Sequence, residues 1–364
     1  MNRRNFMTQS AMTMAGVLVM PNVLMANKSD GRRFKIIYDF DIKSDEKEFV
    51  AKLWNPLPLH TKYQKVKVLT FDGNYDSYNI NSKNPYDAKI LYTSWHKDKK
   101  KKRLHIEMEM ETFDRSVSLL SIEQASKKNL AIPKEIQLYL KATKHIPTDG
   151  KVAEKTAELT KGMSDRFEKV KAIYDWVTEV TFRDPAVIGC GVGDAGKMME
   201  SGYFGGKCTD VSSLFVAFLR AAGVPAREVF GIRTGKSYFS NALGKLDEKG
   251  FADISSWQHC RVEYYIPGVG WIPSDPADVT KLELVEGLKY SDKRVQELKR
   301  KYLHSWEMNW IGFNYGRDFV LYPEPEQYPI NMLGYPYGEI EDEVLNYYTP
   351  KSFSYEITSE ELGT

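Results

Sequence analysis

The 364-residue chain has only three cysteines, Cys190, Cys208 and Cys260. So few exclude a disulfide-stapled scaffold, and the lack of any C-x-x-C pair removes a common zinc arrangement. No apolar run reaches the roughly 20 residues that a membrane-spanning helix needs. Charge of one sign is also lacking: 51 Lys and Arg against 49 Asp and Glu leave +2. That balance argues for neither nucleic acid nor a strongly anionic partner. No segment matches a calcium loop, no internal repeat is visible, and no motif calls for a cofactor or metal.

Apolar residues make up 42% of the chain, and at this length more than one core is expected. The first 26 residues are set apart. Arg3 and Arg4, Phe6 and a weakly apolar run from Ala11 to Met20 precede Pro21 and a small-residue cleavage site at Ala26. This resembles a twin-arginine export signal, which implies a periplasmic or secreted protein.

Residues 32–145 read as an antiparallel β-sandwich. Phe34 to Phe40 is β-prone, and Leu104 to Glu111 alternates strictly between apolar and polar, giving one buried and one wet face. The run Lys97-Asp98-Lys99-Lys100-Lys101-Lys102-Arg103 reads as a solvated hairpin tip, with contact to an anionic envelope polymer as the sharper alternative.

Beyond Gly150 the period becomes helical. Ser164 is read as an N-cap for a helix with Phe167, Val170, Ile173, Trp176, Val177 and Val180 on its inner face. The glycine-rich stretch Ile188 to Asp194 is rejected as a nucleotide loop, because no strand–turn–helix context surrounds it. A second helix runs from about Cys208 to Ala222, closed by Gly223 and Pro225. Pro267-Gly268-Val269-Gly270 then joins two strands into a hairpin. Residues 281–364 form a helical and aromatic-rich extension expected to pack on the core.

Chemistry concentrates around Cys208. Gly205 and Gly206 let backbone and substrate approach, and a thiol in a first helical turn meets unpaired N–H groups and the positive dipole end, which favours thiolate. The same amides offer an oxyanion hole, with Gly206, Lys207 and the side chains of Tyr203 and Trp257 as further candidates. A nucleophilic thiol needs a base and an orienter. His259 precedes the first hairpin strand and Asp275 follows the second, so the turn brings them together. Cys260, one residue on, should face the other side of the sheet, so Cys190 and Cys260 are expected to pair as a disulfide while Cys208 stays free.

The segments Gly205 to Phe215, Arg220 to Arg227, Trp257 to Glu263 and Gly270 to Pro276 resemble, in this order, the cysteine helix, the following strand, the histidine strand and the aspartate strand of bacterial transglutaminase-like proteins. The resemblance covers residues 164–280. It implies an α+β, papain-like core over 150–280, with an antiparallel sheet and a Cys208–His259–Asp275 triad. Trp306 to Trp310 and Asn314 to Asp318 resemble an extension found in some exported members. The expected activity is cleavage of peptide-like amides through a thioester, on a protein, peptide or peptidoglycan-peptide substrate. Acyl transfer to an amine is one alternative, and a silent protein- or glycan-binding module is another.

Overall fold

The computed structural model describes residues 31–341 and 343–363, together with the backbone of Gly16–Val17. The export signal expected over 1–26 otherwise lies outside the described residues. Among the described residues, no helix is long and apolar enough to cross a membrane.

Period-two patterning builds the first half. Strand Lys102–Thr112 turns Leu104, Ile106, Met108 and Met110 inward and pairs antiparallel with Arg32–Ile42 on one side and Gln64–Gly73 on the other. A second sheet is built from Ser77–Asn81, Ile90–Trp95 and Ala51–Pro56. Phe34, Ile36 and Tyr38 of one sheet share a core with Leu53, Leu91 and Trp95 of the other.

Two features depart from the sequence reading. The basic run 97–103 is not a hairpin tip: it carries the chain from one sheet to the other. Its Lys102 is buried, with the ammonium over the Phe49 ring and donating to the Lys99 carbonyl. Nor is the extension confined to the catalytic core. Tyr355–Leu362 lies between Arg32–Ile42 and Phe251–Asp253 in the first sheet, and Tyr337–Ile340 pairs with Ala51–Pro56 in the second.

The second half is a four-stranded antiparallel sheet ordered Gly270–Ser274, Gln258–Ile266, Ala226–Arg233, Trp310–Asn314. Its last strand also comes from the extension. Helix Cys208–Ala221 packs on one face and is buried along almost its whole length. Removing Val211, Leu214, Phe215, Phe218 and Leu219 from water contributes about 1.5–3 kcal/mol each. Gly223, at φ +79°, lets the chain turn out of this helix. Helix Arg166–Val180 is capped by Asp165 rather than Ser164; its carboxylate accepts from the N–H groups of Phe167 and Glu168.

Candidate active site

Cys208 is the first residue of its helix, so its N–H has no intrahelical acceptor. Asp210, two residues on, fixes this end. Its carboxylate accepts from the N–H of Lys207 at 2.9 Å and of Gly193 at 2.7 Å. Gly205 and Gly206 both serve this packing. A Cβ on Gly206 would lie 2.5 Å from Cβ of Asp210, and one on Gly205 would lie 2.6 Å from the rings of Phe182 and Tyr203. Lys207 is the N-cap residue and is half-buried.

His259 and Asp275, the expected base and orienter, meet by a different register from a direct cross-strand pair. Val262 stands opposite Ser274, which continues the hairpin to Arg261 opposite Asp275. Asp275 leaves the strand as the N-cap of helix Pro276–Glu286, accepting from the Asp278 N–H at 3.1 Å. From there its Oδ2 reaches diagonally to Nε2 of His259 at 2.8 Å and to Nε of Arg261 at 3.2 Å. Asp278 adds a second carboxylate, 3.6 Å from the same Nε2 and paired with Arg233. The imidazole thus sits between two carboxylates, each shared with a buried arginine. Trp310 holds the strand from behind, its indole N–H donating to the His259 carbonyl at 2.8 Å.

Burial and the Arg233 guanidinium oppose protonation of His259, but Asp275 and Asp278 together outweigh them and raise its pKa. Burial also opposes ionisation of Asp278, and Arg233 followed by His259 pulls its pKa below the usual carboxylate range. The donor atoms of His259, Asp275 and Asp278 lie within 4.8 Å of one another, a spacing a metal could use. Arg233 and Arg261 already neutralise both carboxylates, so a cation would have to displace buried ion pairs.

Cys208 itself is nearly buried, 4% exposed. Hydrogen bonding from the thiols of Cys190 and then Cys260 holds its pKa well below the ordinary thiol range, with His259 adding to the effect against the cost of burial. All three cysteines are free, so the expected Cys190–Cys260 disulfide is not formed. Alternation predicts that Cys260 turns away from the site, and its contact with Thr209 corrects this. The face it points to is the one on which the cysteine helix packs.

Of the remaining candidates, Tyr203 is half-exposed and its hydroxyl donates to Asp184 at 2.8 Å. Trp257 packs against the sandwich core. Neither is brought to Cys208. The sequence reading missed Asp278, Arg233, Arg261 and Tyr335, whose hydroxyl donates to Cys190 Sγ at 3.0 Å. Asp278 carried a signal: an acidic residue three positions after an N-cap aspartate. Tyr335, 145 residues from its partner, carried none.

Residues 153–276 match the model of the transglutaminase-like superfamily. A protein of unassigned function from Haemophilus influenzae is 43% identical over 323 residues, covering 86% of each chain. YebA of Bacillus subtilis, likewise unassigned, is 31% identical over 123 residues, which is 33% of this chain and 16% of that one. Among solved structures, a chain from Cytophaga hutchinsonii provisionally described as a cysteine protease superposes over 92% of both chains, with a TM-score of 0.53 at 15% identity. The cysteine helix, histidine strand and aspartate cap described above fall within or at the edge of the matched segment, and the chain belongs to the transglutaminase-like superfamily.

Proposed function

We propose that the chain is an exported thiol hydrolase that cleaves peptide-like amide bonds, with Cys208 as nucleophile, His259 as acid and base, and Asp275 as orienter. The observation that carries this reading is the 2.8 Å bond between His259 Nε2 and Asp275, with the same imidazole in contact with a thiol at a helix N-terminus. The Cys208 thiolate attacks the amide carbon, and the N–H of Cys208 receives the developing oxyanion. The His259 imidazolium protonates the leaving nitrogen as the C–N bond breaks, leaving a thioester. Water, deprotonated by His259, attacks the thioester and releases the acid and the thiolate. Asp275 stabilises the imidazolium without taking its proton. Acyl transfer to an amine shares the first step and differs only in what resolves the thioester.

Iodoacetamide labelling of Cys208 across pH tests the reading. A lowered thiol pKa keeps the thiolate present below the ordinary value of about 8.5, and it is lost as pH falls through the depressed value. Labelling is therefore expected to stay fast at neutral pH. In His259→Ala it slows and its profile moves to higher pH, with part of the depression retained through Cys190 and Cys260. An ordinary thiol profile in both proteins defeats the hydrolase reading in favour of a binding module. With a reactive thiol established, turnover of peptide amides with and without an added primary amine separates hydrolysis from transfer.

A further inference from the structure

The chain has three cysteines: Cys208 is followed by Thr209, and both others contact Thr209. Cys190 arrives on the loop preceding the cysteine helix: its carbonyl accepts from the Thr209 N–H at 2.9 Å, and its thiol donates to the Gln258 carbonyl at 3.2 Å. Those contacts tie it to the residue after the nucleophile and the residue before the base. Cys260 sits beside Thr209, Sγ to Oγ1 at 3.5 Å. Through Gln258 and Thr209, which flank His259 and Cys208 in sequence, both thiols are placed beside the proposed nucleophile. Amide cleavage needs neither of them as a nucleophile, acid or base.

We propose that Cys190 is a resolving cysteine: when a peroxide oxidises Cys208, the two form a reversible disulfide that takes the nucleophile out of action and protects it. This rests on Cys208 being the reactive thiolate of the proposed hydrolase. In the first step the Cys208 thiolate attacks a peroxide oxygen; an S–O bond forms, the O–O bond breaks, and hydroxide (or alkoxide) leaves. In the second, the Cys190 sulfur attacks the sulfenic sulfur. The S–S bond forms, the S–O bond breaks, and the Cys190 proton leaves with the oxygen as water.

The choice of Cys190 over Cys260 follows from the backbone. Cys190 is flanked by Gly189 and Gly191, at φ +57° and +85°, on a stretch outside any sheet ladder. A disulfide requires the two sulfurs to close to about 2.05 Å, and a loop outside the ladders yields to that movement more readily than a strand inside one. Cys260 is fixed in the middle of the sheet, opposite Phe230. The hydroxyl of Tyr335 donates to Cys190 Sγ and fixes its position. The neighbouring Cys208 and burial keep Cys190 a protonated thiol, which supplies the proton that leaves as water. Retained as a cluster, the three thiols give the otherwise rejected glycine-rich loop a purpose: it delivers Cys190.

The test uses the full reduced chain, treated with a few equivalents of hydrogen peroxide at neutral pH, alkylated and mapped without reduction. The expected result is a Cys190–Cys208 peptide pair with Cys260 alkylated, and full recovery of Cys208 iodoacetamide labelling after dithiothreitol. In Cys190→Ser, and in Cys190→Ala should serine perturb the loop, Cys208 instead gains two or three oxygen atoms and dithiothreitol fails to restore it. Cys260→Ser retains the bridge. A Cys208–Cys260 bridge, or direct conversion of wild-type Cys208 to sulfinic acid, overturns the inference while leaving the hydrolase reading intact. A Cys208 that resists iodoacetamide before any peroxide is added overturns both.

Discussion

Replacing Asp275 by asparagine separates the three tasks of one carboxylate. Asparagine keeps an oxygen able to accept from the Asp278 N–H, so the cap on helix Pro276–Glu286 survives. The charge does not. His259 and Arg261 lose a partner at 2.8 and 3.2 Å in a site where the carboxylate is 1% exposed. Breaking a buried pair costs about 3–5 kcal/mol. The lower end applies, because Asp278 still faces His259 and the Glu307 carbonyl still accepts from Arg261 at 2.6 Å. The asparagine amide can also donate to Nε2, leaving the proton on the nitrogen that should receive one from Cys208. A wrong tautomer of this kind lowers triad turnover by about 10⁴, or about 5 kcal/mol of barrier. Asp275→Ala loses the cap as well and is expected to be less stable than Asp275→Asn by about 1 kcal/mol. Urea midpoints give the stability order, and the pH profile of Cys208 labelling gives the state of the base. A folded Asp275→Asn protein that labels Cys208 at the wild-type rate and pH refutes the orienting role. Equal stability of the two variants refutes the capping argument.

Gly206→Ala is expected to destabilise the protein by about 1–3 kcal/mol, since the new Cβ meets Asp210 at 2.5 Å. Because Asp210 pins the helix start, slower Cys208 labelling should accompany the lower urea midpoint. Deleting residues 355–363 removes a strand paired on both sides in the first sheet. The truncated chain is expected to be insoluble or to lose cooperative unfolding by circular dichroism; a soluble, cooperatively folding product defeats the topology.

What was legible in the sequence was what local chemistry dictates. A thiol after two glycines and before an apolar helical stripe marks a helix start whatever the rest of the chain does. A Pro-Gly turn between two apolar runs marks a hairpin, and a hairpin places its two ends together. Register is a different matter: Asp275 faces Arg261, and it serves His259 only because it leaves the strand as a helix cap. Period-two alternation sets Cys260 on the opposite face from its neighbour His259, but alternation does not say which face a distant helix will cover. That one undetermined choice turned a member of the thiol cluster into an expected disulfide. Gly206 reads as space for a ligand, and no local pattern tells that Asp210 packs against it as well.

Several contacts that no local signal could reveal come from the extension, and they concern the site directly. Trp310 holds the His259 carbonyl, the Glu307 backbone accepts from Arg261, and Tyr335 reaches Cys190. The same stretch supplies the fourth strand of the catalytic sheet and then two strands to the sandwich. Residues 153–276 include Cys208, His259 and Asp275, yet the His259 carbonyl and the Cys190 thiol are held by side chains beyond residue 300. Excising the matched segment would strip one edge strand from the four-stranded sheet and leave the backbone edge of Ala226–Arg233 unpaired. The site is therefore a property of the interleaved whole, and reactivity at Cys208 reports on the packing of the extension as much as on the triad.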